Sequence, residues 1–253
     1  DKVQDYQNTV LHLIDSDGSN RRIISSSLDE SISDITWDTS GKGLYFMYDI
    51  KGNTKIGYIT TSGNITKLTD NVGGTTIGRP YTSGSYSVSQ NGTLAYTQTR
   101  PEYPAELAII QNKKKPKLIT SLNEDVLAHR ELGKVEELWY KSSFDGRDIQ
   151  GWIVKPPFYD ATKKYPLLVE NHGGPILNYG DRFTAEIQLY AAEGYVVFYP
   201  NPRGSTSYGE EFGNLLKNNY PGQDYNDVMD GVDYLVKKGI VDTQKLFVTG
   251  GSA

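Results

Sequence analysis

The chain has 253 residues, with 26 Lys and Arg against 31 Asp and Glu, a formal charge of −5 and no cysteine. The lack of cysteine excludes disulfides, thiol catalysis and thiolate metal sites, and leaves the redox compartment open. The mildly acidic balance offers no basic face for nucleic acid or an anionic membrane, and the longest apolar runs fall well short of the roughly 20 residues that cross a bilayer.

From the amino end the sequence repeats itself. "LHLIDSDGSNRRII" (Leu11 to Ile24) resembles "IGYITTSGNITKLT" (Ile56 to Thr69), and "LAIIQNKKKPKLIT" (Leu107 to Thr120) is a looser third copy. Each has an apolar strand, a small polar turn, a basic residue and an apolar pair. Between the copies, "ITWDTSGKGLYFMYD" and "YSVSQNGTLAYTQT" each read as two strands about a glycine turn, at Gly41 and Gly92. A repeat of about 45 to 50 residues, with four short strands and no helical period, predicts β-propeller blades over residues 1–122. About two and a half such units are present, fewer than the four or so of a closed propeller, so this part is expected to be incomplete. The run Lys113-Lys114-Lys115 ahead of Pro116 reads as a solvated turn.

Residues 123–133, within "NEDVLAHRELGKVEE", are polar and read as a connection. From residue 134 onward the rhythm changes. "ELWYKSSFDGRDIQGWIVKPP" predicts two strands joined at Asp145-Gly146. "YPLLVENHGGP" is then a buried strand entering a glycine loop, "RFTAEIQLYAAEGY" a helix stopping at Gly194, and "VVFYPNPRG" a second buried strand. "QDYNDVMDGVDYLVKKG" places Val228, Val232, Leu235 and Val236 on one helix face, with Gly239 as its stop. "KLFVTGG" is a third buried strand. Such alternation predicts a parallel sheet with helices on both faces, whose ligand site lies beyond the carboxyl ends of the strands.

Both glycine loops fall at those ends. Gly250-Gly251-Ser252-Ala253 fits the first four positions of G-x-S-x-G, the strained strand-to-helix turn that lifts a nucleophilic serine out of a sheet. On these residues alone a nucleophile elbow, a dinucleotide-binding glycine loop and an ordinary turn are all open. "NHGGP" (Asn171 to Pro175), on an earlier strand, favours the elbow, because acyl transfer needs fixed backbone N–H donors for a developing oxyanion. The plain alternative is a glycine turn bearing a surface histidine. None of the three histidines, His12, His129 and His172, belongs to a ligand pair, so no metal or other cofactor is expected. The first two read as structural or solvated.

Taken in order, "IQGWIVKPP", "YPLLVENHGGP", "FYPNPRGSTSYGEEF", "DYNDVMDGVDYLV" and "KLFVTGGSA" resemble consecutive landmarks of the prolyl oligopeptidase family of serine peptidases, most of all its acylaminoacyl-peptidase and dipeptidyl-aminopeptidase-like branch. The resemblance covers nearly all of Glu136 to Ala253. It implies that residues 134–253 begin an α/β-hydrolase domain capped by the propeller, acting on short peptides. By position, Ser252 matches the nucleophile, and the backbone N–H groups of Gly174 and Ala253 match the oxyanion hole. His172 stands where prolyl-specific relatives carry an oxyanion-binding tyrosine, which puts prolyl specificity in doubt. Arg203, Gly204 and Tyr208 match a motif beside the site, read as loop architecture first and substrate contact second. The family's Asp and His have no counterpart, so these residues alone are expected to be inactive and to be a piece cut at both ends. A homo-oligomer formed through the hydrolase half is compatible with the resemblance. A carboxylesterase-like hydrolase, or a non-catalytic propeller that binds a partner, is the competing reading.

Overall fold

The computed structural model describes residues 6–74, 78–111 and 114–252. Lys113, in the predicted basic turn, and Ala253 lie outside them, while Lys114 and Lys115 are exposed.

The first half is antiparallel throughout. β1 (His12–Leu13) and β2 (Arg22–Ile23) form a small hairpin. β3 (Ile32–Trp37), β4 (Gly43–Ile50), β5 (Asn53–Thr60) and β6 (Ile65–Val72) pair in sequence as one meander. β7 (Tyr86–Val88), β8 (Leu94–Arg100), β9 (Tyr103–Ile110) and β10 (Lys117–Leu118) form a second. The two meanders are joined into one eight-stranded sheet at a single residue pair, Val72 with Gln98.

The central strands carry apolar side chains on both parities of the pleat. Leu44, Phe46, Tyr48 and Ile59 pack with Leu11 and Ile24 of the first hairpin, whereas Met47 and Ile56 pack with Val72, Leu94 and Tyr96 of the second meander. Because successive side chains point to opposite faces, the first four-stranded unit is a layer buried on two sides.

The predicted connection holds a one-turn helix, α1 (Glu124–Leu127), with no buried residue. The second half then builds a five-stranded sheet from β11 (Val135–Lys141), β12 (Asp148–Val154), β13 (Tyr165–Asn171), β14 (Val196–Asn201) and β15 (Val241–Gly250), with spatial order β11-β12-β14-β13-β15. This sheet is mixed: the predicted hairpin joins three strands that alternate with helices and run parallel as predicted. β11 and β12 pair antiparallel and β12 pairs antiparallel with β14, while β13 lies parallel to both β14 and β15.

Helices cover both faces, with α2 (Ala185–Ala192), α3 (Gly209–Gly213) and α4 (Asp224–Lys237) inserted between the later strands. Ile153, Val196 and Phe198 share a core with Val232 and Leu235 of α4. The alternate residues Trp152, Val154, Val197 and Tyr199 pack with Ile187 and Ala191 of α2. α4 starts with Asp224 and Asp227 and ends with Lys237, in the sense that suits the helix dipole, and Gly239 at φ 77° stops it. Among the described residues no helix is long and apolar enough to cross a membrane.

β15 departs from its predicted burial. It is the edge strand, and Leu246, Phe247 and Val248 are 45%, 47% and 70% exposed. α4 covers only part of this side, leaving an apolar cavity of about 520 Å³ against Val169, Val228 and Phe247.

The loop leaving β14 is tied to α4 by a buried ion pair. Arg203 donates from its backbone N and Nε to Asp227 Oδ2 at 2.9 and 2.8 Å, and from Nη2 to Asp227 Oδ1 at 2.9 Å. Asp227 is fully buried, so loss of its charge leaves a buried guanidinium short of a counter-ion. Asp227→Asn is expected to cost about 3 kcal/mol in urea unfolding. Gly231, in the middle of α4, lies so close to the sheet that an added Cβ would sit 2.4 Å from Phe198 Cζ and 2.8 Å from Tyr140 Cζ. Gly→Ala in a helix interior normally stabilises by roughly 1 kcal/mol. Here the sign should reverse, with Gly231→Ala destabilising by about 1–3 kcal/mol in the same measurement.

Candidate active site

β13 and β15 run parallel and in register, pairing Asn171 with Gly250, so the loops that follow them emerge side by side. Ser252 follows β15 and is exposed, with φ at 63°. A left-handed backbone is uncommon for a residue with a Cβ, and it marks a turn held by its surroundings.

The surroundings are visible. A Cβ on Gly173 would meet the Gly251 carbonyl oxygen at 2.5 Å and Ser252 Cβ at 2.9 Å. Only glycine lets the loop after β13 lie directly on the serine turn. On its other side, a Cβ on Gly251 would lie 3.0 Å from Arg79 Cζ. The serine turn is thus held between the glycine loop of its own sheet and an arginine of the first half.

His172 is buried, contrary to the reading of a surface histidine. Its Nδ1 lies 2.8 Å from the Gly173 carbonyl and its Nε2 2.9 Å from Ser205 Oγ. A carbonyl only accepts, so Nδ1 carries a proton. Burial pushes the imidazole pKa down, with the Gly173 hydrogen bond opposing it, which favours the neutral ring. In that form Nε2 accepts the Ser205 hydroxyl proton, although the Pro202 carbonyl, 2.6 Å from Ser205 Oγ, competes for it. Gly173 and Gly174 are joined by a trans peptide, since the cis bonds are Gly174–Pro175 and Tyr220–Pro221. The N–H of Gly174 therefore points opposite to the carbonyl that His172 holds.

Of the predicted site residues, the structure brings Ser252, Gly174 and His172 to one end of the sheet. Ala253 lies outside the described residues. Arg203 and Tyr208 are turned into the protein. Arg203 is 3% exposed, and besides Asp227 it bonds Asp145 and Ser142, so each guanidinium nitrogen is engaged. The Tyr208 hydroxyl donates to Gln150 Oε1 at 2.5 Å and accepts from Asn201 Nδ2 at 2.8 Å. Neither presents a free group to a substrate.

The same geometry adds residues that motif reading missed. Arg79 Nε donates to Glu170 Oε1 at 2.6 Å, and Tyr179 Oη donates to that oxygen at 2.8 Å. Glu170 is 1% exposed, and the pair raises the Arg79 pKa chiefly through this hydrogen bond. Tyr81 accepts the Gly173 N–H. Arg79 and Tyr81 sit in "GRPYTSGSY", which has no motif spacing, and only the fold carries them to the serine.

A family model described as the prolyl oligopeptidase family matches residues 181–253. The chain is 34% identical over 218 residues to an uncharacterised peptidase, YuxL, of Bacillus subtilis, covering 85% of this chain and 32% of that protein. It is 27% identical over 236 residues to dipeptidyl-peptidase 5 of Porphyromonas gingivalis, covering 92% and 33%. Among solved structures, Pyrococcus horikoshii acylaminoacyl peptidase superposes with a TM-score of 0.76 at 23% identity, over 92% of this chain and 35% of that one. Porphyromonas gingivalis dipeptidyl peptidase 4 does so with 0.73 at 22% identity, over 95% and 34%. These two show a shared fold, an antiparallel curled sheet followed by a mixed sheet with helices. With its glycine loop lying on a left-handed serine turn, the chain belongs to the prolyl oligopeptidase family, and it spans about a third of the length of the relatives it matches.

Proposed function

We propose that this chain carries the nucleophile and part of the oxyanion site of a serine peptidase that releases aminoacyl or acylaminoacyl ends from short peptides. The observation that carries the reading is the seating of Gly173 against Ser252. It supports reading the Gly174 N–H as a donor and the Ser252 hydroxyl as the nucleophile, since the two loops lie against each other as acyl transfer requires. The first half is read as propeller blades that limit entry to the site, and the second as the start of an α/β-hydrolase domain.

In this reading Ser252 Oγ attacks the scissile carbonyl while a histidine takes its proton. The carbonyl oxygen, now negative, receives the N–H of Gly174 and that of Ala253. Collapse of the tetrahedral intermediate expels the amine with the proton from histidine and leaves an acyl-serine, which water hydrolyses by the same steps. The histidine and its aspartate are assigned to residues outside 1–253. Within the chain, the described contacts of His172 go to Gly173 and Ser205, and His12 accepts from Arg21 in the first hairpin. His172 is given the role of holding the Gly173–Gly174 peptide, with the Gly174 N–H turned away from the ring. The names of relatives, acylaminoacyl peptidase and dipeptidyl-peptidase 5, support substrates of this class.

The natural protein is expected to cleave aminoacyl- or dipeptidyl-nitroanilides in preference to short acyl esters, and to be labelled by a fluorophosphonate at Ser252. Ser252→Ala should lower kcat by about 10³-fold or more. Residues 1–253 expressed alone should not label above background. A preference for esters, or labelling at another serine, would sink the peptidase reading. Gly173→Ala should lower kcat and the labelling rate by about 10²-fold, because its methyl group displaces the serine turn. An active Gly173→Ala variant, assayed on the same nitroanilide, would disconnect the glycine loop from catalysis.

A further inference from the structure

The first half reaches into the site at one atom with no assigned role. The backbone N–H of Gly173 donates to the Tyr81 hydroxyl oxygen at 3.2 Å. Gly173 is buried, and a buried N–H needs a partner; here it is a side chain from 92 residues earlier in the chain.

Tyr81 is itself fixed from several sides. Its ring lies against that of Tyr179, with centroids 5.0 Å apart, and the two residues form an isolated antiparallel bridge. The Gly180 N–H donates to the Pro80 carbonyl at 2.8 Å, and the Tyr179 N–H to Asn201 Oδ1 at 2.8 Å. Arg79 and Tyr179 meet on the same oxygen of buried Glu170. The phenol oxygen is thereby referenced to β13, which leads into the glycine loop, and to its neighbour β14.

Gly173 is held at both ends. His172 Nδ1 takes its carbonyl at 2.8 Å, and Tyr81 takes its N–H. With glycine's wide conformational range, one anchor would leave the following peptide free to rotate about Gly173. Two anchors fix both of its flanking peptide planes and hence the direction of the Gly174 N–H. The Tyr81 bond also engages the Gly173 N–H, which leaves that of Gly174 as the donor this reading assigns to the oxyanion.

We propose that Tyr81 is a positioning residue for the oxyanion loop, acting from the first half by accepting the Gly173 N–H, so that the donor geometry at Ser252 depends on the two halves being docked. This rests on the reading of Gly174 as an oxyanion donor. The test is Tyr81→Phe in the intact natural protein, which keeps the ring contact with Tyr179 and removes only the acceptor. Hydrogen–deuterium exchange at the Gly173 amide should accelerate about tenfold, as expected for a lost hydrogen bond of ordinary strength. On the nitroanilide substrate kcat should fall about tenfold with KM within about twofold, and the inhibition constant of a peptide boronic acid, which mimics the tetrahedral adduct, should rise by the same factor. A part played only in packing would lower the unfolding midpoint and leave the kcat-to-KM split and boronate affinity unmoved. Unchanged exchange at Gly173 overturns the proposal whatever the activity, and so does a rise in KM at constant kcat. If Ser252→Ala leaves turnover intact, it is the peptidase reading that fails, and the exchange arm still decides whether Tyr81 holds the loop.

Discussion

The carboxyl end of the second sheet is organised around one buried carboxylate. Glu170 is the next-to-last residue of β13 and is almost wholly removed from water. A carboxylate there is costly unless it is paired and hydrogen-bonded. Its counter-ion, Arg79, comes from the first half, and its second donor, Tyr179, from the loop after the glycines. Meeting that one requirement fixes the loop after β6 against the loop after β13, with the serine turn between them. Further contacts follow the same seam. Arg182, 2% exposed, donates to Thr54 Oγ1 and the Ser83 carbonyl, and the Gly52 N–H donates to Ser207 Oγ at 2.7 Å. The halves are joined by buried polar groups more than by a greasy face.

Most of the architecture was legible because its causes are local. Repeated strand-turn-strand segments give the two antiparallel meanders, and apolar residues on both parities of β4 and β5 explain why those meanders stack. The 3.6-residue period of α4 and its glycine stop are equally local. What was misread depends on neighbours that local patterning does not specify. An apolar run such as Lys245 to Gly250 looks the same in the centre of a sheet as at its edge, and within residues 1–253 it lies at the edge, with Leu246 to Val248 exposed. The mixed sheet follows from β12 pairing with β14 across an intervening strand and helix, a choice that hairpin spacing does not encode.

The site divides in the same way. Ser252 and the glycines could be found because a tight turn demands small residues in a fixed order. The glycine loop marks His172, but local sequence leaves its burial open, because that depends on its partners, the Gly173 carbonyl and Ser205. Arg203 and Tyr208 were noticed as members of a motif, and their motif serves the loop: Arg203 neutralises Asp227 and Tyr208 completes a buried amide pair. Arg79 and Tyr81 carry no local mark at all. Their significance exists only in three dimensions.

The amino-terminal strand of contacts has a bearing on how such a chain comes to be folded. Tyr6 accepts from and donates to the side chain of Asn214, and Asn8 donates to Glu210, across separations of 208 and 202 residues. Closing loops of that size comes before any local reward, which slows the search. On a ribosome the first half emerges long before its partners exist, and domains generally fold as units in that order. The layered strands can form early from near neighbours, but Arg79 waits for Glu170 and Tyr6 for Asn214. The seam on which the serine turn rests can accordingly form only once both halves are present, and it is lost when they separate.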